Sequence, residues 1–404
     1  NEWRCIELNN TESKNLKRGA FYFIILLGLV SLLADVTYEG ARSVTGPYLG
    51  LLGASSAVVG FAAGFGEMLG YAFRLVSGYW ADRTHRYWLL TIVGYALNLL
   101  AIPLLAFVGN WQVAVLLLIL ERLGKGLRTP ARDVMLSQAT KQVGRGFGFG
   151  LHEAMDQIGA VAGPVFVSIV LARNLGYRDA FLFLGIPAIL AMILVVTARF
   201  LYPRPQEFEP AYKGIETKGY SKAFWIYLGA VALIGAGYID YPLIGYHLQQ
   251  NGILQAQFIA FLYSLAMGID ALSALVFGAW FDRAGVSVVG VSALIAALFS
   301  PFAFLLHVWW GPVIGMVLWG IGMGAQESVM RAALAEMIPT ERRGVAYGFF
   351  NTVYGLAWFA GSFVMGIIYG FSPTLMVIVS VTLELLAALL IFVNRHSLEH
   401  GHEA

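Results

Sequence analysis

The sequence predicts an all-α integral membrane protein, with twelve transmembrane helices arranged as two pseudo-symmetric bundles of six. Three observations carry that expectation. Of the 404 residues, 58% are hydrophobic and 12% charged, against about 45–50% and about 25% in soluble domains. The apolar residues fall into long continuous runs, each near the ~20 residues a helix needs to cross the hydrocarbon core. The chain also matches itself at an offset close to 200 residues.

The runs lie near 20–42, 54–79, 87–108, 111–137, 146–172, 179–201, 222–247, 254–280, 285–307, 309–338, 343–370 and 373–394. The first follows Lys14, Lys17 and Arg18 and leads into Asp35 and Glu39 with no small-residue cleavage site, so it reads as a retained span and not a signal peptide. Continuous runs, without ten-residue alternation, argue against a β-barrel. The first six define an N-terminal bundle over 20–201 and the last six a C-terminal bundle over 222–394. Between them residues 202–221 form a polar linker that Pro203, Pro205 and Pro210 keep extended. Residues 1–19 and 395–404 flank the bundles. Lys and Arg concentrate in the N-terminal segment and in the connections holding Arg83 and Arg86, Lys141 and Arg145, and Arg342 and Arg343. By the positive-inside rule both termini are expected in the cytoplasm, with the chain in the plasma (inner) membrane.

The internal match has three parts in order. GYWADR at 78–83 recurs as GAWFDR at 278–283, GKG at 124–126 stands opposite GMG at 322–324, and RGFGFG at 145–150 opposite RGVAYG at 343–348. This pattern implies duplication of a six-helix unit. Many secondary transporters are built that way, with the substrate site between the halves near mid-depth.

GYWADRTHRYWLL at 78–90 resembles the signature loop of the major facilitator superfamily, roughly G-x-L-A-D-R-x-G-R-K between helices two and three. Gly78, Ala81, Asp82, Arg83 and Arg86 fit it, whereas Trp80, His85 and Tyr87 depart from it. The resemblance implies that Gly78, Asp82, Arg83 and Arg86 belong to a gate, with Glu153 at the start of the fifth span. Asp282 and Arg283 stand in the degenerate second copy. GAVAGP at 159–164 is similar to the G-x-x-x-G-P of helix five in the family's proton-coupled exporters. Gly159 and Gly163 share a face that admits a neighbouring helix, and Pro164 removes a backbone donor. By that resemblance the expected task is export.

Charges inside the spans point to a wet interior, because each unpaired charge at the bilayer centre costs ~2.5–3.5 kcal/mol on insertion scales. In ERLGKGLRTPARD at 121–133, Glu121, Lys125, Arg128 and Arg132 fall on one helical face, with Arg122 and Asp133 on another and Pro130 marking a kink or the helix end. Arg132 and Asp133 read as a structural pair, and Arg122, Lys125 and Arg128 as cavity cations. In the first span Asp35, Glu39 and Arg42 share a face, and Arg42 is expected to reach outward and pair with Glu39. A carboxylate removed from water binds a proton more readily, so Asp35, Glu67 and Glu121 are the proton-coupling candidates, trading a cation partner for a proton. Glu39, Asp240, Asp270 and Glu327 are expected along the substrate cavity, with Asn351, Tyr354 and Trp358 at helical spacing on the eleventh span. His247 is expected at the outer mouth.

Other classes find no support. A net charge of +2 offers nucleic acid no basic footprint. The lone Cys5 excludes an intrachain disulfide. No G-x-S-x-G, H-E-x-x-H or nucleotide-binding glycine loop occurs, so neither an enzyme nor a cofactor is expected, and the carboxylates show no recognisable metal-ligand spacing. The reading is a monomeric secondary transporter in the lipid bilayer, moving a small organic solute by proton-coupled antiport. The alternatives are proton-coupled uptake of an anionic or zwitterionic metabolite, a metal-cation carrier and a non-transporting sensor.

Overall fold

The computed structural model describes the backbone of residues 2–203, 220–338 and 343–400, and the side chains within these stretches except at 2–16, 82, 145–146, 343–345 and 399–400. The N-terminal half contains α1 (Glu2–Leu51), α2 (Ser56–Thr84), α3 (Tyr87–Leu104), α4 (Trp111–Val143), α5 (Arg145–Ala172) and α6 (Tyr177–Leu201). The C-terminal half contains α7 (Lys222–Gly237), α8 (Tyr241–Gln250), α9 (Ala256–Ala284), α10 (Ser287–Leu305), α11 (Trp310–Met337), α12 (Arg343–Phe371), α13 (Pro373–Val393) and the short α14 (Arg395–His400). No strand occurs among the described residues.

Side-chain caps fix several boundaries. Asn110 accepts the Val113 amide at 3.0 Å, Ser221 that of Phe224 at 3.3 Å and Ser372 that of Leu375 at 3.2 Å, each satisfying a donor that a helix start leaves free. Eleven spans among the described residues are long and apolar enough to cross a membrane, α7 and α8 counting as one. The 33-residue α4 has the length, but its charges interrupt the apolar run.

The structure corrects the seventh span and adds two details to the other elements. The seventh span is broken into α7 and α8 at Tyr238, Ile239 and Asp240, because Gly237 ends one helix while Asp240 caps the next and Pro242 sits in its first turn. Asp240 is therefore a helix cap and not a mid-helix residue. Pro130 does not end its helix, which runs on to Val143. The segment before residue 20 is helical and continuous with the first span.

Each half encloses its own apolar core, one including Phe23, Tyr95 and Phe181, the other Phe224, Phe299 and Trp319. The sequence repeat is also a repeat of packing. Gly124 of α4 lies on α3, where a Cβ would fall 2.4 Å from the Asn98 amide nitrogen, and its counterpart Gly322 of α11 lies on α10, 3.2 Å from the Ala296 Cβ. Gly126 meets the Gly70 carbonyl of α2 and Gly324 the Asp270 carbonyl of α9 in the same way. Small residues at these positions let the backbones approach.

The start of α1 and the end of α13 mark the terminal side of the molecule; the opposite side is the far side. The halves close on each other at the far side. A Cβ on Gly46 of α1 would lie 1.7 Å from the Pro242 carbonyl oxygen of α8, and one on Gly60 of α2 2.1 Å from the Ser362 carbonyl oxygen of α12. The Ser56 hydroxyl donates to the Gly366 carbonyl at 2.7 Å, and Ser168 of α5 to the Gln257 carbonyl at 2.8 Å. Toward the terminal side α4 and α11 do not pack closely, and a space opens between the halves.

Candidate functional site

That space is a cavity of about 480 Å³, within the range of small-molecule sites. It begins at mid-depth beneath Glu39, Tyr263 and Trp319 and widens toward the terminal side, where it is lined by Arg74, Glu153, Glu327 and Arg331. Glu39 is buried, whereas Glu153, Glu327 and Arg331 are exposed. The cavity thus opens on the terminal side and is sealed on the far one.

Its roof is an ion-pair chain joining both halves. Arg42 of α1 bridges Glu67 of α2 at 3.2 Å and Asp240 of the other half at 2.9 Å. Glu67 also receives Arg122 at 3.3 Å, and Arg122 reaches Glu121 at 3.3 Å. The Asn98 amide donates to Glu121 at 2.7 Å. Asp240 is held in place as the cap of α8, accepting the Tyr241 amide at 2.8 Å. A small space of about 30 Å³ separates this chain from the far-side contact of α1 and α8. Beside it the Tyr263 hydroxyl donates to Glu39 at 2.6 Å, a second contact between halves.

The expected pair of Glu39 with Arg42 is therefore not the one that forms. The inter-half partners Tyr263 and Asp240 take one member each, and Arg42 turns inward beneath the sealed side. Sequence reading also missed Tyr38. Lys125 donates to its hydroxyl at 3.0 Å and sits 4.1 Å from its ring centre, a cation–π contact. Arg74 stacks over Tyr71 at 5.0 Å in the same manner. Among the described residues neither Lys125 nor Arg74 forms an ion pair, and both line the cavity.

The opposite wall belongs to α9, α11 and α12. Among the described residues the buried Asp270 Oδ1 and both side-chain polar atoms of the buried Gln326 have no hydrogen-bond partner. Both line the cavity, as do Glu327, Tyr354 and Trp358. The buried Trp358 ring nitrogen has no acceptor among the described residues. Asn351 shares the helix but is not on the cavity wall, where Phe350 takes the place expected of it.

Arg128 also departs from its expected position. It is 1% exposed and stacked over Tyr95 at 4.2 Å, away from the cavity. Gly94 of α3 packs so closely on its backbone that the side chain is directed into the half-bundle. Asp35 lies deeper in the same half, among the charges of Asp156, Lys125 and Arg128. Arg132 pairs with Asp133 at 2.8 Å, as expected, and donates to Ser31 at 2.9 Å.

Gly159 and Gly163 pack on α1, where added Cβ atoms would fall 2.4 Å from the Leu32 and Val36 carbonyl oxygens, and Pro164 lies within α5 without ending it. In the loop signature Gly78 faces Pro130, Arg83 donates to Tyr79 at 2.7 Å, and Arg86, Asp282 and Arg283 are exposed. The Asp82 side chain lies outside the described residues. Glu153 accepts from Gln157 at 3.5 Å on the cavity rim. His247 is buried at the far side, its ring within 2.9 Å of the Tyr369 hydroxyl. Among the described residues no group of three or more His, Cys, Asp or Glu could hold a metal ion.

Comparison with known proteins agrees with this architecture. The sequence model of the Major Facilitator Superfamily matches residues 19–250 and 226–403. An uncharacterized protein of Mycobacterium tuberculosis is 40% identical over 384 residues, 93% of this chain and 94% of the relative. An MFS-type transporter of Methanocaldococcus jannaschii is 23% identical across 96% and 97% of the two chains. The human lysosomal dipeptide transporter is 24% identical across 61% of this chain and 58% of its own. In fold, a peptide transporter (POT) solved with sulfate superposes with a TM-score of 0.77 at 15% identity, covering 93% and 95% of the chains. A bacterial homologue of the lysosomal transporter Spinster, in an inward-facing unoccupied conformation, superposes with a TM-score of 0.71 at 16% identity over 94% and 98%. Two six-helix halves around a charged cavity, matched by the superfamily's sequence model along nearly the whole length, mean that the chain belongs to the Major Facilitator Superfamily and is a membrane transporter, not an enzyme.

Proposed function

We propose that this transporter carries a small zwitterionic organic solute by alternating access and couples its movement to protons as an antiporter. The observation that carries the solute class is the division of charge across the cavity. Lys125 and Arg74, without ion-pair partners among the described residues, stand on the N-terminal wall beside Glu39 and Glu153, and Asp270 and Glu327 stand on the C-terminal wall beside Arg331, so each wall offers a partner for one pole of a solute. A solute with a carboxylate and an ammonium group satisfies both walls at once. A singly charged solute leaves a buried group uncompensated, which is costly. The peptide-carrying relatives named above favour the same class. In this reading both termini lie on the cytoplasmic side of the plasma membrane, the open side faces inward, and the protein works as a monomer that loads solute from within.

The coupling candidates in this reading are Asp35, Glu121 and, at the roof, Glu67. It bridges Arg42 and Arg122 at the roof, and a proton on it would release Arg42 from one of its two anchors. Since Arg42 also ties the halves through Asp240, protonation changes the relative stability of the two facings. A ligand shifts such an equilibrium only through differential affinity for the two states. A second reading, proton-coupled uptake, is favoured by Lys125 and Arg74 on the N-terminal wall, which suit a carboxylate arriving with a proton. The test is flux of amino acids and dipeptides into liposomes containing the full chain, beside their N-acetylated and amidated forms. Zwitterions are expected to move and the blocked forms not. Equal movement of both would refute the solute class.

A further inference from the structure

The C-terminal half holds a carboxylate that none of this uses. Glu384 of α13 has no exposed surface, and neither carboxyl oxygen has a partner among the described residues. It packs on the last residue of α7, where a Cβ on Gly237 would lie 3.3 Å from both its Cγ and Oε1. One turn earlier on α13, the Ser380 hydroxyl donates to the Gly237 carbonyl at 2.7 Å. The carboxyl therefore abuts the point at which the seventh span breaks.

Among the described residues no charge is placed to balance it. From α7 and the joint beyond it, Gly237 and the phenol of Tyr238 face it, and from α12 the phenol of Tyr354. α10 carries no titratable residue between Ser287 and Leu305. Lys222 is fifteen residues before Gly237, roughly 22 Å along α7, and Arg395 eleven after Glu384, roughly 16 Å away. The C-terminal end of α7 adds partial negative charge of its own. An ionised carboxylate here would be buried, unpaired and set against the negative end of a helix. Each circumstance favours the neutral acid.

We propose that Glu384 is a second proton-binding site, separate from the solute cavity, and that its proton seats the end of α7 against α13. The joint it supports leads directly to Asp240, the C-terminal anchor of the inter-half ion pair. With the proton bound, the joint stays as seen here, closed at the far side. Loss of the proton calls for water or a cation, which requires α7 to move off α13. The site lets the C-terminal half answer to proton concentration without solute. The proposal rests on the rocking of the two halves, and not on the identity of the solute.

The experiment compares the purified full chain with Glu384→Gln, which keeps the shape and neutrality of the acid. Infrared spectra across a pH titration should show a protonated-carboxyl stretch in the parent that is missing from the variant. Carboxyl regions identical in the two proteins would overturn the assignment. Spin labels on the terminal-side ends of α4 and α11 then read the conformation without solute. In the parent, alkaline pH should raise the far-side-open population several-fold, and Glu384→Gln should lose at least half of that rise. The same pH response in both would overturn the link to the joint, even if solute flux were never detected.

Discussion

Gly46 is the position at which the sealed side is most exposed to test. In the structure its Cα faces the backbone of α8, and a Cβ would lie 1.7 Å from the Pro242 carbonyl oxygen, far inside ordinary contact at 3.4 Å. The obstacle is backbone at the first turn of a helix, so no rotamer change relieves it. Gly46→Ala therefore forces α1 and α8 apart in the far-side-closed state and leaves a far-side-open state untouched. Overpacking of this kind costs about 1–3 kcal/mol, and a bias of that size shifts a two-state equilibrium about 5–150-fold. The assay is the distance between spin labels at the exposed positions Leu51 and Gln255, with Cys5→Ser removing the native thiol. Gly46→Ala should transfer population from a short to a long distance by at least fivefold. An unchanged distribution, with unchanged thermal stability, would refute the view that these glycines form the seal.

Two further outcomes follow from the buried charges. Arg42→Met leaves Glu67 and Asp240 without the cation they share, and breaking such a pair costs about 3–5 kcal/mol; thermal unfolding should show the loss, and adding Glu67→Gln and Asp240→Asn should recover most of it. Asp35→Asn and Glu67→Gln should each retain solute binding yet lose proton-driven flux, measured in liposomes with an imposed pH gradient, and full coupling in both would remove these residues from the coupling role.

Much of the architecture was legible because membrane solvation is a strong constraint. Apolar runs of spanning length leave a helix little alternative, and the repeat at an offset near 200 announced the two halves. The equivalent packing of Gly124 and Gly322 in their own halves, and of Gly126 and Gly324, shows that the repeat records helix contacts. The joint in the seventh span was also written in the chain, as Gly237 followed by Asp240 and Pro242, but a continuous apolar average conceals it. The site was less legible. Helical spacing places Glu39 and Arg42 on one face, yet their partners Tyr263 and Asp240 come from the other half, about 200 residues away, and no local pattern encodes that choice. Arg128 shares a face with Lys125 by spacing and is nevertheless turned into the half-bundle by the close approach of Gly94. Glu384 had a visible signal, a lone carboxylate in VTLELLAALL, but a single charge with no partner in register offers periodicity nothing to match.

In the proposed mechanism solute and proton movements are coupled through one charged cavity. The most direct test is simultaneous recording of solute flux and internal pH in liposomes of the full chain, with a trapped pH dye and a dipeptide as solute. Proton movement should run opposite to solute and be abolished when the solute's amine or carboxylate is blocked. Solute flux with no proton movement would contradict the coupling, and proton movement in the same direction would replace antiport with uptake.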